Sequence, residues 1–77
     1  RLAAEWGGVA CPWEELDHWL GRADLIVSTT GADRPIVDLV RLALARRLQA
    51  RRVTMILDLG APRDFDPRVG ELDNVYL

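Results

Sequence analysis

The run Met55-Ile56-Leu57-Asp58-Leu59-Gly60-Ala61-Pro62-Arg63-Asp64-Phe65 constrains this chain more than any other stretch. An apolar run stops at an acid and then turns sharply through Gly-Ala-Pro. A buried parallel strand has this pattern when it delivers a loop to the carboxyl edge of a sheet, the edge at which α/β proteins bind ligands. An earlier segment repeats the plan, because Ala23-Asp24-Leu25-Ile26-Val27-Ser28-Thr29-Thr30-Gly31-Ala32 is an apolar strand that empties into a small, hydroxyl-rich loop. Two such edges joined by a helix make a βαβ unit. The expected fold class is therefore α/β, a partial Rossmann-like, doubly wound parallel sheet with flanking helices.

The rest of the chain fills in around that unit. Arg1 to Trp6 reads as the tail of a helix stopped by Gly7-Gly8, and Val9-Ala10-Cys11 as a short strand. Pro12 starts a brief helix with Glu14 and Glu15 in its first turn and Trp13, Leu16 and Leu20 on one face, closed by Gly21. Leu25 to Ser28 is a strand. Asp33 is the expected cap of the next helix, with Pro35 near its start and an apolar stripe at Ile36, Leu39, Val40, Ala43 and Leu44. Arg46, Arg47, Arg51 and Arg52 crowd that helix's end, where cations suit the carbonyl dipole. Val53 to Leu59 is the strongest strand, and a last one runs from Val75 to Leu77.

Seventy-seven residues make one small domain at most, and a chain of this size buries only roughly 60% of its unfolded surface. A net charge of −2 gives no strong field toward nucleic acid or lipid. The single cysteine, Cys11, excludes an internal disulfide framework and a multi-cysteine zinc site, so a reducing, cytoplasmic setting is expected. No apolar run approaches the ~20 residues that span a membrane, and the first residues resemble no signal peptide. Uncapped helix formers at one end and a strand-like run at the other read as cut ends.

Several of these segments together carry a family resemblance. They are Ala23 to Ala32, Pro35-Ile36-Val37, the Arg-rich helix end, Leu57-Asp58-Leu59-Gly60-Ala61-Pro62-Arg63-Asp64 and Asn74-Val75-Tyr76-Leu77. In order and spacing they resemble the NADPH-binding domain of glutamyl-tRNA reductases, within the shikimate/quinate dehydrogenase group of Rossmann enzymes. The Pro-Arg-Asp tripeptide after a strand, followed by Asp66-Pro67 and the Asn-Val-Tyr-Leu ending, is the specific part.

The resemblance implies an enzyme of tetrapyrrole biosynthesis, in which a cysteine in a separate domain attacks the glutamyl ester of charged tRNA. NADPH then reduces the thioester to glutamate 1-semialdehyde. It also implies that residues 1–77 are the C-terminal part of the NADPH domain, inactive alone. Glutamyl-tRNA would be contacted mainly by other domains of a parent homodimer, with no membrane involved. Two alternatives stay open. One is a shikimate-dehydrogenase-like NADP oxidoreductase, against which the Pro-Arg-Asp segment argues; the other is a non-catalytic nucleotide- or partner-binding fragment.

The candidate cofactor residues are Ser28, Thr29, Thr30 and Gly31 after one strand and Gly60, Ala61 and Pro62 after the next. Small side chains let a dinucleotide approach the backbone, hydroxyls bond ribose or phosphate oxygens, and Pro62 stiffens its loop. The competing reading for the first loop is a strand-to-helix turn with local hydroxyl-to-backbone bonds. Arg63 and Asp64 are read as pairing with each other and capping the turn in preference to facing substrate. Asp58 is read as accepting backbone N–H bonds from the neighbouring loop in preference to acting as a base.

No catalytic or metal-binding residue is expected. Cys11 lacks an activating partner and is read as a small hydrophobe. His18, alone among acids on a short helix, is read as part of a solvated face. Trp6, Trp13 and Trp19 are assigned to core packing and domain contact, and the four clustered arginines to the helix end in preference to tRNA phosphate.

Overall fold

The computed structural model describes residues 5–77. A 3-10 turn at Trp13–Glu15 leads into helix α1, Leu16–Arg22, followed by strand β1, Leu25–Ser28. Helix α2 is Leu39–Arg46, strand β2 Thr54–Asp58, a second 3-10 turn Pro67–Glu71 and strand β3 Val75–Tyr76. The sheet is wholly parallel in the order β1-β2-β3, the α/β arrangement expected from the sequence.

Register decides where the loops emerge. Leu25 lies opposite Met55 and Ser28 opposite Asp58, so β1 and β2 end level and release their loops side by side at one edge. Alternation along β2 buries Thr54, Ile56 and Asp58 and exposes Met55 and Leu57. The buried face, with Ile26 and Val75, receives Leu16 and Leu20 of α1 and Leu42 and Ala45 of α2. Val37, Phe65 and Val69 complete the core. Both helices thus cover one face. The other presents Leu25, Val27, Met55, Leu57 and Tyr76 to solvent among the described residues, where a doubly wound sheet carries a second helical layer.

Three expectations about elements are corrected. Residues 9–11 form no strand, since a strand needs a partner ladder and none of the described strands lies beside them. Asp33 does not cap the second helix. Asp38 does, accepting the Arg41 N–H at 2.8 Å, and the helix starts at Leu39. The cause is Ile36-Val37, a β-branched pair that stays extended and forms a parallel bridge to Phe65 instead of a first helical turn. The apolar stripe also lies on a different face from the one expected. Leu42 and Ala45 face the core while Val40 and Leu44 are exposed.

The expected helix before Gly7 is described only from Glu5, which is helical; Arg1 to Ala4 lie outside the described residues. Gly7 takes the left-handed φ of 74° expected of a helix terminator.

At the amino end of the sheet, Arg46 is buried to 3% exposure. Its guanidinium donates to Thr54 Oγ1 at 3.2 Å, to the Asp73 carbonyl at 3.2 Å, and to the carbonyls of Ala50 and Arg52. One cation thereby gathers acceptors left by the end of α2, the entry to β2 and the turn before β3. Burial pulls its pKa below the usual arginine value, but a guanidinium stays charged in water's working range. Arg52 pairs with Asp24, while Arg47 and Arg51 are exposed.

Candidate functional site

The carboxyl edge collects every residue that the sequence marks as a cofactor candidate. Ser28 ends β1, and Thr29, Thr30 and Gly31 follow it in an exposed loop. Gly60, Ala61 and Pro62 follow β2 next door, with Ala61 and Pro62 exposed and a cis peptide bond between them. The two loops therefore flank one site, as level strand ends require.

Asp64 holds them there. Its side chain is buried to 1% exposure and accepts from the Ser28 hydroxyl, from Thr30 N–H at 3.0 Å and from Thr30 Oγ1 at 2.6 Å. Its own backbone carbonyl accepts from Ile36 N–H at 2.7 Å and Val37 N–H at 3.1 Å. Asp66 N–H returns a bond to the Val37 carbonyl at 2.9 Å. The loop from Ser28 to Val37 is thus pinned near both ends by one residue on the neighbouring loop. The hydroxyls of Ser28 and Thr30, with Thr30 N–H, hold the Asp64 carboxyl below the usual carboxylate range, while burial works the other way.

Asp58 acts more locally. It accepts Gly60 N–H at 2.9 Å and Phe65 N–H at 2.8 Å, which folds the loop 59–65 back over the end of β2. Burial opposes its ionisation, but these N–H groups prevail and keep the carboxyl below its ordinary pKa. This is the loop-organising role read from the sequence. The pairing of Asp64 with Arg63 is not found. Arg63 is exposed, and the partners of Asp64 lie across the edge on the other loop.

These bonds sort the candidates. The hydroxyl hydrogens of Ser28 and Thr30 point to Asp64, and Thr30 Oγ1 also accepts Ala32 N–H at 3.2 Å. Thr29 is exposed at the start of the loop and makes no side-chain hydrogen bond among the described residues. Gly31 has φ 73°, a left-handed value that favours glycine, and open space lies where a Cβ would stand. Gly60 is needed for a different reason, since a Cβ there would lie 2.9 Å from Asp64 Oδ2 and from the Pro62 carbonyl. Beside the loops lies a cleft of about 150 Å³ walled by Trp13, Leu16, Ile26 and Ile36, with Ser28 to Thr30 and Asp64 at its polar end.

The other singled-out residues lie away from this edge or take plainer roles. Cys11 is exposed in an irregular segment. His18 sits on the exposed face of α1, 3.1 Å from Arg22 and edge-on to Trp19. No cluster of three metal-ligating side chains occurs among the described residues. Trp6, Trp13 and Trp19 are 81, 59 and 45% exposed, so none belongs to the core, although Trp13 walls the cleft. Among the described residues, no helix is long and apolar enough to cross a membrane.

Comparison with known proteins places the sequence in a family. The model of the shikimate / quinate 5-dehydrogenase family matches residues 1–77. Glutamyl-tRNA reductases of Xanthomonas campestris pv. campestris (strain B100) and Pelobacter propionicus are each 42% identical, over 99% and 100% of the chain respectively. That of Rhodopirellula baltica is 40% identical over 100% of it. The chain spans 18% of the length of each of these relatives. No solved structure matches the chain. Matched from end to end by the family model, with relatives that bear the name glutamyl-tRNA reductase, the chain belongs to the shikimate/quinate 5-dehydrogenase family.

Proposed function

We propose that this chain is the C-terminal part of the NADPH-binding Rossmann domain of a cytoplasmic glutamyl-tRNA reductase, which makes glutamate 1-semialdehyde for tetrapyrrole synthesis. The observation that carries the reading is the joint arrival of the loops Ser28 to Gly31 and Gly60 to Pro62 at the carboxyl edge of a parallel sheet. Ligands of open α/β sheets bind outside that edge.

The residues present fit one end of a dinucleotide. The open space at Gly31, the exposed Thr29 and the exposed Ala61-Pro62 segment suit a ribose and an attached ring. They do not suit its phosphates. Helix α2 begins only at Leu39, and its first turn is already capped by the Asp38 carboxylate, an anion where phosphate would need free N–H groups. Phosphate recognition is therefore assigned to another part of the domain. NADPH, when bound, supplies the hydride. The chain's own residues shape the wall, offer the Thr29 hydroxyl and keep the loop backbones at a fixed separation.

Glutamyl-tRNA, the second substrate, and the homodimer contact of the parent enzyme belong to other domains in this reading. The names of the relatives favour it over a shikimate dehydrogenase. The test is calorimetric titration of NADPH into the full-length protein and into residues 1–77 alone, together with turnover assays on glutamyl-tRNA and on shikimate. Micromolar binding by the full-length protein, none by the isolated chain and turnover of glutamyl-tRNA alone are expected. Turnover of shikimate, or no NADPH binding by the full-length protein, contradicts the reading.

A further inference from the structure

We infer that Asp64 is the positioning residue of the cofactor wall, setting affinity for the dinucleotide without touching it. The inference rests on the proposed NADPH reading and adds to it the residue that shapes the site. Asp64 is almost wholly buried, so its carboxylate is spent inside the protein. All its side-chain bonds go to one loop, at Ser28 and Thr30, and its backbone carbonyl takes the far end of the same loop, at Ile36 and Val37. The residue is therefore a peg around which the segment 28–37 is wrapped.

Two consequences follow for the wall. Binding Ser28 and Thr30 to Asp64 leaves the exposed Thr29 between them as the hydroxyl not engaged by the peg, so the peg decides which side chain is free to meet a ligand. It also fixes the distance between the two loops, because Asp64 belongs to the segment that follows Gly60 to Pro62, and the space above Gly60 is filled by its Oδ2. A carboxylate suits this post because it is acceptor-only and every group aimed at its side chain is a donor. An amide of the same shape keeps one acceptor, and its NH₂ forces a hydroxyl of Ser28 or Thr30 to accept instead of donate. The wall would then relax, and its hydroxyls would be free to turn outward.

The test is made in the full-length protein with Asp64→Asn, Asp64→Glu, Thr30→Val and, as a control at the opposite end of the sheet, Arg46→Gln. Four quantities are read: the melting midpoint, the NADPH Kd, the KM for NADPH against kcat, and the rate of thioester formation without NADPH. Asp64→Asn is expected to raise Kd and KM about tenfold, the equivalent of one good hydrogen bond lost from binding, with thioester formation unchanged. Asp64→Glu, an acceptor one carbon longer, is expected to recover part of that loss.

Thr30→Val removes one hydroxyl from the peg and should raise Kd by a smaller factor, which keeps the inference testable if Asp64→Asn does not fold. Arg46→Gln is expected to lower the midpoint at least as much as Asp64→Asn with Kd unchanged. A wild-type Kd retained in both Asp64→Asn and Thr30→Val overturns the inference, as does a Kd loss in Arg46→Gln equal to that in Asp64→Asn. Failure of the wild-type protein itself to bind NADPH refutes the functional reading instead.

Discussion

The two ends of this sheet are stitched by buried charges of opposite sign. At the amino end one cation, Arg46, gathers the carbonyls of Ala50, Arg52 and Asp73 and the hydroxyl of Thr54. At the carboxyl end two anions, Asp58 and Asp64, gather N–H and O–H groups. The chemistry follows from where each residue sits. Arg46 ends a helix, where carbonyls lack partners, while the aspartates sit among loops that turn their N–H and hydroxyl groups inward. The difference lies in what is held. Arg46 ties scaffold to scaffold; Asp64 ties together the two loops assigned to the ligand. Damage at the amino end should therefore appear as lost stability, and damage at the carboxyl end as lost binding.

Arg46→Ala is the most severe way to test that division. It removes the donor shared by four acceptors and leaves a void, so a loss of about 3 kcal/mol in unfolding free energy is expected. Denaturation of the full-length protein measures it, and NADPH affinity of the protein that remains folded should match wild type. Gly31→Val comes next, at the carboxyl end. With φ at 73°, a branched side chain carries strain of ~1–2 kcal/mol and enters the space left open at the loop. The KM for NADPH should rise roughly tenfold or more, with thioester formation near wild type. A normal KM in Gly31→Val would remove this loop from the wall.

Acid separates the two ends more gently. Asp58 and Asp64 have folded-state pKa values below that of an unfolded aspartate, about 3.9. Their contribution to stability is therefore present above about pH 4 and is lost as pH falls through the lower folded values. Arg46 stays charged throughout and contributes no slope there. A melting midpoint that drops below about pH 4 in wild type and drops less in Asp64→Asn is expected. Equal slopes in the two proteins would contradict the burial of Asp64 as an anion. Thr54→Val should have the smallest effect, about 1 kcal/mol of stability, since Arg46 keeps its three carbonyl acceptors.

What could be read from the sequence divides along similar lines. β1 runs from Leu25 to Ser28 as expected, and β2 and β3 lie within a residue or two of their expected limits, because apolar runs ending in turn residues are a local signal. The role of Asp58 was legible for the same reason, as both its donors belong to its own loop. The start of α2 was not. Asp33 and Pro35 look like a helix entry, and only the bridge from Val37 to Phe65 shows why the chain stays extended to Asp38. The partners of Asp64 were hidden too. They lie 34 and 36 residues away, and Arg63 is the nearer counter-charge in sequence. The available signal was register, since hydroxyls at the end of one parallel strand stand beside an acid in the loop after the next.

The central claim, that Asp64 acts on the ligand through the loop it pins, is tested most directly by a double-mutant cycle. Ser28→Ala and Asp64→Asn are combined in the full-length protein, and the NADPH Kd is measured for all four forms. If the hydroxyl acts only through the carboxylate, the double variant binds no more weakly than Asp64→Asn alone. Losses that multiply would show that Ser28 and Asp64 act on the ligand independently, and would contradict the account.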